Sequence, residues 1–468
     1  MSKLVSSLRE SIRLAGLRDG MTISFHHHLR NGDKVLNLVM AEIADMGLRD
    51  IHINASSFFD VHEPLVTHMQ SGVVTGLETA YMSKKVGDAV CAGILPEPVR
   101  FHTHGGRADA IMSGRSHIDV AFIAASAADA MGNCTGRIGP SAFGALAYPV
   151  ADALKADKVV VVTDCLMPYP LTEPSIEETQ VDYVVQVEEI GDPAGVASGT
   201  TRITADPVAL YIARLAAEVM DAAGCIQNGM SFQTGAGGAT LATAMYLHRK
   251  MKARQICGSF ALGGITGYIV DMFRDGCFEK ILDTQCFDLR AVESLREDPR
   301  HLEISTIRYA SPSVRSAAVN SLDVVILGAT QIDTGFNVNV HTTSDGRIMG
   351  GSGGHTDCAA GAKLSMILSP LIRQRLPMVV DRVNCISTPG ELVDVFVSQY
   401  GIAVNPRKKE LAALLSAKGL PVLSMDALKQ EAEKICGIPR QIPRQGRPVA
   451  VVLDRNGQKQ DEIRAIPM

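Results

Sequence analysis

No Cys-x-x-Cys pair occurs in the 468 residues, although ten cysteines are scattered singly through them. Neither a zinc ribbon nor a redox dithiol is therefore indicated. Long apolar runs are also missing; none approaches the ~20 residues that cross a bilayer. Charge of one sign is lacking: 45 Lys+Arg stand against 50 Asp+Glu, for a net charge of −5, and the longest basic run is Arg407-Lys408-Lys409. A nucleic-acid binder would carry a stronger electrostatic footprint. A P-loop is absent, since Gly361-Ala-Lys363 has neither the spacing nor the hydroxyl, so ATP is not an expected substrate. The opening Met-Ser-Lys-Leu-Val-Ser-Ser has no apolar signal core. Together with the single thiols, it points to a reducing cytoplasm. What remains is 46% apolar and 20% charged residues with 42 Gly and 21 Pro, a globular balance that excludes disorder and suggests two or three domains.

Hydrophobic period supplies the architecture. Residues 4–15 read as a helix, Met21–Phe25 as a buried strand, Lys34–Met46 as a second helix and Ile51–Asn54 as the next strand. Strand, polar turn, helix, strand predicts an α/β fold with a largely parallel sheet. Further strands are expected at Val120–Ala124, Lys158–Thr163 and Tyr183–Val187. After about residue 205 the pattern restarts, with a helix from 207 to 223, a strand at Met230–Thr234 and a helix through Met251. The stretch from Ile118 to Asn133 matches that from Leu322 to Asn337, 204 residues later, and the turns starting at Thr22 and Ser231 stand 209 apart. Similar offsets at separate points imply one α/β unit used twice, over residues 1–205 and 206–468. From about residue 438 the tail predicts a small β-hairpin, with strands at Val449–Leu453 and Asp461–Ile466 around Asn456-Gly457.

Three constellations carry candidate chemistry. Gly235-Ala236-Gly237-Gly238-Ala239-Thr240 follows a strand and opens a helix. Thr240 stands where a dinucleotide fingerprint needs Gly or Ala, and no acidic ribose partner follows. An anion approached by backbone N–H groups is the better reading of that turn. His26, His27, His28 and Arg30 sit at the C-terminal end of a predicted strand, where open α/β sheets place ligands. His102, His104 and Arg107 form a second cluster. These two clusters read as a cationic cradle for carboxylates, as satisfied loop histidines, or as a metal site lacking an acidic partner. The third is Gly350-Gly351-Ser352-Gly353-Gly354-His355-Thr356-Asp357, followed by an apolar helix and Lys363. Its glycines let N–H groups approach a ligand closely.

These motifs resemble the coenzyme A transferases, and among them the citrate lyase alpha-chain branch, over nearly the whole chain. The resemblance rests on Leu17-Arg-Asp-Gly20-Met-Thr-Ile23, Asn320-Ser321-Leu-Asp323, Gly353-Gly354-His355-Thr356-Asp357 with Gly361-Ala-Lys363, and Gln399-Tyr400-Gly401-Ile-Ala403. The triple histidine with Arg30-Asn31-Gly32-Asp33, and Phe101-His-Thr-His-Gly-Gly106, are similar to the citrate branch in particular. One departure stands out. Many of these transferases use a glutamate that becomes a covalent thioester, and Gly267 falls at its approximate place. The resemblance thus implies a ternary-complex route, in which a citrate carboxylate attacks an acetyl thioester and a mixed anhydride forms.

On that resemblance, Gly263, Gly264, Gly353, Gly354, His355 and Asp357 are the expected catalytic residues. Citrate is expected at His26, His27, His28, Arg30, His102, His104 and Arg107. The thiol carrier is expected at Gly235, Gly237, Gly238, Asn320, Gly350, Gly351 and Lys363. No metal and no covalently bound cofactor are expected. The implied donor is acetyl-coenzyme A, or the phosphoribosyl-dephospho-coenzyme A arm of an acyl carrier (gamma) subunit. A citryl lyase (beta) subunit and a homo-oligomeric arrangement within the complex are the implied partners, with no nucleic acid or membrane. A metal-dependent hydrolase or lyase on the histidine clusters, and a non-catalytic acyl-binding scaffold, are the competing readings.

Overall fold

The computed structural model describes residues 2–197, 203–235, 237–439 and 445–466. Two open sheets organise it. In the first, β1 (Leu4–Val5), β2 (Thr22–Phe25), β3 (Ile51–Ala55), β4 (Val74–Thr79), β5 (Val99–Phe101), β6 (Val120–Ala125), β7 (Lys158–Thr163) and β8 (Tyr183–Gln186) run parallel. The second holds β9 (Ser231–Thr234), β10 (Gly258–Ile265), β11 (Phe278–Cys286), β12 (His301–Glu303), β13 (Val324–Gly328), β14 (Leu364–Leu368), β15 (Val395–Ser398) and an antiparallel β16 (Gly401–Val404). Continuous apolar runs such as Val159–Val162, fully buried, are what a parallel sheet covered on both faces demands.

The strand order shows the repeat directly. Along the first sheet the order is β8-β7-β6-β2-β3-β4-β5, and along the second β15-β14-β13-β9-β10-β11-β12. Both orders reverse direction at one strand, β2 or β9, and β1 adds an edge beyond β8. Matched residues do matched work. The Asp119 carboxylate accepts from the Thr22 N–H at 2.7 Å, and Asp323 accepts from the Ser231 N–H at 2.8 Å. Asp129 gathers the N–H groups of the turn through Asn133, and Asp333 gathers those through Asn337.

Two expectations are corrected. Residues 4–15 are not one helix: Leu4–Val5 joins the sheet edge beside Val184–Val185, and Ser7 then caps a helix over Leu8–Leu14. The Ser7 hydroxyl accepts from the Glu10 N–H, which fixes the start four residues later than periodicity alone suggests. The tail does form a hairpin, β17 (Pro448–Leu453) and β18 (Lys459–Arg464), but it is not an appendage of the second unit. β17 pairs in parallel with β5, so the chain returns to extend the first sheet.

That return closes a junction. Asp357, at the start of the helix His355–Gly361, is fully buried and accepts from the Thr103 hydroxyl at 2.9 Å, the Gly105 N–H at 2.8 Å and Arg455 Nε at 3.0 Å. Thr103 and Gly105 belong to the first unit, Asp357 to the second and Arg455 to the hairpin. Removing one partner of a buried charge pair costs about 3–5 kcal/mol, because the other charge stays buried. Arg455→Met is expected to lower stability by about that amount, with Asp357→Leu/Arg455→Met recovering part of it. Denaturant unfolding of the three proteins checks both.

Candidate active site

The three strand ends β2, β9 and β10 deliver the site. Beyond β2 the chain turns through His26–His28 into a short 3-10 turn at Arg30–Gly32. Arg30 has φ +53°, a left-handed backbone that a non-glycine residue adopts at a cost. Its guanidinium lies 5.3 Å from the ring centre of Phe59 and 4.8 Å from that of Phe287. Both Nε and Nη1 are buried without a hydrogen-bond partner. Burial pulls its pKa down, with Tyr81 and Tyr148 acting against that shift, yet arginine stays charged in proteins. A buried cation with unsatisfied N–H groups and no acidic partner among the described residues is suited to receive an anion.

His104 is the second open group. It begins the helix His104–Met112, capped by Thr103, and its ring stacks 5.8 Å from His27 and 4.6 Å from Tyr148. Its Nδ1 is buried with no partner. Burial, reinforced by Arg107, holds its pKa down to about 3, so it acts as a neutral imidazole.

The triple histidine is a network rather than a cradle. His26 Nε2–H donates to the Ala124 carbonyl at 2.9 Å, so its Nδ1 accepts from His28 Nδ1–H at 2.7 Å. His28 Nε2 then accepts from the Ala147 N–H at 3.2 Å. His27 Nε2–H donates to Gln285 Oε1 at 3.1 Å while its Nδ1 accepts from Ser56, joining the two units. All six ring nitrogens are used within the protein. Burial holds His26 down to about 4 and the other two well below the usual histidine range. Arg107 is likewise spoken for: it is bidentate to buried Asp152 at 2.7 and 3.0 Å and donates to Asn54. His102 donates to Glu78 at 3.0 Å, leaving its Nδ1 buried and unpartnered.

The glycine-rich loop crosses from the second unit onto the first. Gly350 O accepts from the Met82 N–H and Gly353 N–H donates to Ala80 O, while His104 N–H donates to Gly353 O at 2.8 Å. A Cβ on Gly351 would lie 2.2 Å from Ala80 O, and one on Gly353 would lie 3.1 Å from His104 Nε2. Gly264, at a bulge of β10, would place a Cβ 2.2 Å from the Phe287 ring beneath Arg30. Gly264 therefore backs the Phe287 wall under Arg30 and Gly353 abuts His104, while Gly263 and Gly354 lie against Gln233 and Tyr309. His355 is a tie: its Nε2–H donates to Gly328 O and its Nδ1 accepts from Thr388. Asp357 is the junction described above.

The expected carrier residues divide. Gly235 and Gly238 follow β9, and Gly238 lines a cavity of about 520 Å³ with Asp206, Ala209, Pro370, Arg373 and Gln399; Ala236 lies outside the described residues. Gly237 precedes the helix Gly238–Ala253. Asn320 and Lys363 instead stand before β13 and β14, at the opposite ends of the strands, where Lys363 pairs with Asp323 at 2.7 Å. Asn320 Nδ2 there donates to the Arg315 carbonyl. At the expected glutamate position, the Gly267 N–H donates to Asp288 at 2.6 Å, and a Cβ there would press on Arg290. The one grouping of metal-type donors among the described residues, His117 with Asp119 and Asp157, lies at the surface near the N-terminal ends of β6 and β7.

Sequence reasoning missed Phe59 and Phe287, the aromatic walls of the Arg30 cage, and Tyr81 and Tyr148, which pack on Phe59 and on the histidines. Nothing in the local sequence pointed to them.

The sequence profile of the family described as citrate lyase, alpha subunit (CitF), matches residues 1–466. The citrate lyase alpha chain of Klebsiella pneumoniae is 46% identical over 464 residues, covering 99% of this chain and 91% of that one. A structure described as the alpha subunit of citrate lyase from Streptococcus mutans, in complex with citrate, superposes with a TM-score of 0.98 at 46% identity, covering 100% of this chain and 92% of that one. The malonate decarboxylase alpha subunit of Acinetobacter baumannii shares the fold, with a TM-score of 0.70 at 15% identity over 93% of each chain.

Six buried histidines, His26, His27, His28, His104, His341 and His355, are held below the ordinary imidazole pKa mainly by burial. The unfolded chain binds protons at each near pH 6.5 while the folded chain does not, so stability is full above that pH and falls as pH drops. The melting temperature is expected to decline steeply between about pH 6.5 and 4.

Proposed function

The chain belongs to the citrate lyase alpha-subunit family, and from that membership we propose that it carries the thiol of an acetyl thioester over to citrate across the Arg30 pocket. It is a citrate CoA-transferase that acts on acyl thioester carriers within a multi-subunit complex. The unpaired, caged Arg30 guanidinium is the observation that carries the assignment of citrate to this pocket. The relative from S. mutans, described in complex with citrate, supports citrate as the ligand.

The chemistry asks for positioning more than for reagents. A citrate carboxylate oxygen attacks the acetyl carbonyl carbon, the C–S bond breaks, and the thiolate leaves a mixed acetic–citric anhydride. The thiolate then attacks the citryl carbonyl, the anhydride C–O bond breaks, and acetate departs. Exchanging one thioester for another is nearly isoenergetic, so no external energy source is needed. Each step builds an oxyanion, and a backbone N–H donor aimed at it contributes about 2.7–4 kcal/mol. Gly263–Gly264 and Gly354 are our candidates for those donors, the Gly353 N–H being given to Ala80 O. Holding the reactants together removes a further ~7–11 kcal/mol of barrier. Gly267 has no carboxylate to take up the acyl group, which supports direct attack by citrate rather than a glutamyl-enzyme.

Citrate's three carboxylates suit Arg30 and His104, the open groups of the cradle. His26, His27, His28 and Arg107 then act at one remove, by fixing the cage. The thiol arm is taken to enter past Gly235–Gly238 and the cavity beside Gly238. Its natural form is proposed to be the phosphoribosyl-dephospho-coenzyme A group of an acyl carrier subunit, with free acetyl-coenzyme A as substitute. A citryl lyase subunit would cleave the product. Units at 1–205 and 206–468 are proposed as the two transferase-like domains, the hairpin returning to the first.

Incubating the chain with acetyl-coenzyme A and citrate is expected to yield citryl-coenzyme A and acetate, with no acyl adduct on the protein, by mass spectrometry. An adduct would contradict direct attack. Arg30→Ala is expected to lower kcat/KM for citrate about a hundredfold, equivalent to ~3 kcal/mol for a charged hydrogen-bonded contact; unchanged citrate saturation would remove Arg30 from the site.

A further inference from the structure

The two double-glycine stretches each face both ways. Gly264 backs onto Phe287 and Arg30, whereas a Cβ on its neighbour Gly263 would lie 2.7 Å from Nε2 of Gln233. Gly353 faces His104, whereas a Cβ on Gly354 would lie 2.6 Å from the Tyr309 hydroxyl. Across this seam from Arg30 and His104, then, stand Gln233 and Tyr309. They are joined: Gln233 Nε2–H donates to the Tyr309 hydroxyl at 2.9 Å, and that hydroxyl lies 2.8 Å from Cys358 Sγ. Gln233 is only 8% exposed, and its Oε1 is buried with no partner. Thr266 Oγ1 and Gln331 Oε1, just beyond the strands that flank β9, are also buried and unpartnered.

Two sets of unpartnered groups of opposite kind thus stand on either side of the paired glycines. Arg30 offers only donors. Gln233 Oε1 offers only acceptance. Citrate's carboxylates, which accept, suit the first and are repelled by the second. The arm of a coenzyme A-type thiol carries secondary amides close to its sulfur, and each presents one N–H donor. We propose that Gln233 recognises the thioester substrate, its free carbonyl oxygen accepting a hydrogen bond from an amide N–H of the thiol-bearing arm. Tyr309 is the positioning residue that pins the amide nitrogen and leaves the oxygen for the substrate. The inference rests on the transferase reading above. It places the acetyl carbonyl and the attacking carboxylate between the two glycine pairs, with one substrate held from each side.

Citrate has one donor of its own, its hydroxyl, and the test separates the two. Gln233→Met keeps the chain length and loses the acceptor. Its KM for acetyl-coenzyme A is expected to rise about tenfold, as for a lost hydrogen bond to a buried group, with KM for citrate within twofold of the wild type. Tyr309→Phe, which frees the amide, is expected to move the same constant in the same direction by less, and it carries the test if Gln233→Met does not accumulate. The preference for citrate over propane-1,2,3-tricarboxylate, which lacks the hydroxyl, is expected to be equal in wild type and variants. An unchanged acetyl-coenzyme A KM, an equal rise in both constants, or loss of that preference would each overturn the proposal. Failure of the wild type to make citryl-coenzyme A would overturn the transferase reading itself, and is seen without any variant.

Discussion

Close backbone contact between the two units is the constraint on which the rest depends. The loop 350–354 lies against Ala80–Met82 and Thr103 of the first unit, hydrogen-bonded at Met82, Ala80 and His104. Side chains on Gly350 and Gly351 would collide with Val340 O and Ala80 O. The glycines therefore serve first to bring two main chains together, and only by that means to present N–H groups to a substrate. Asp357 holds the contact shut by capping the helix that begins with His104, and Arg455 reaches it from the hairpin. The hairpin's return to the first sheet is thus part of the site's construction.

Electrostatics follow from that closure. Six histidines are buried and kept neutral, so the positive charge of the pocket is concentrated on Arg30. A single desolvated guanidinium with aromatic walls binds a carboxylate more strongly than the same group in water, because the local dielectric is low and no hydration shell competes. The unsatisfied N–H groups of Arg30 are compensated only once an anion is present. The surrounding polar network, from His26 through His28 and from Arg107 through Asp152, supplies rigidity with its own groups satisfied. Pre-organisation of this kind is what a reaction limited by positioning requires.

Much of this was legible in the sequence. The α/β class, the strand positions and the duplicated topology followed from period and from repeated Asp and Asn residues whose structural jobs recur in both units. Arg30 was chosen for its place after β2, and it stands at the site. The finer choice among the histidines could not be made, because the roles of His26 and His355 are set by carbonyls and a hydroxyl from Ala124, Gly328 and Thr388, and that of His28 by the Ala147 N–H, all distant in sequence. Asn320 and Lys363 carried a motif but sit at the wrong ends of their strands, a matter of strand direction that local spacing does not encode. The hairpin's destination and the aromatic cage are long-range facts of the same type. Gln233 gave no signal at all; only an unpartnered oxygen in the folded chain marks it.

The central claim is that citrate itself, and no protein carboxylate, attacks the acetyl thioester. Carboxyl-¹⁸O-labelled citrate tests it in a single turnover with the chain in excess over acetyl-coenzyme A. Direct attack transfers one citrate oxygen to the departing acetate, so the first acetate released is predicted to carry one ¹⁸O. Unlabelled acetate accompanied by citryl-coenzyme A would mean that an enzyme carboxylate supplied the oxygen, and would contradict the account.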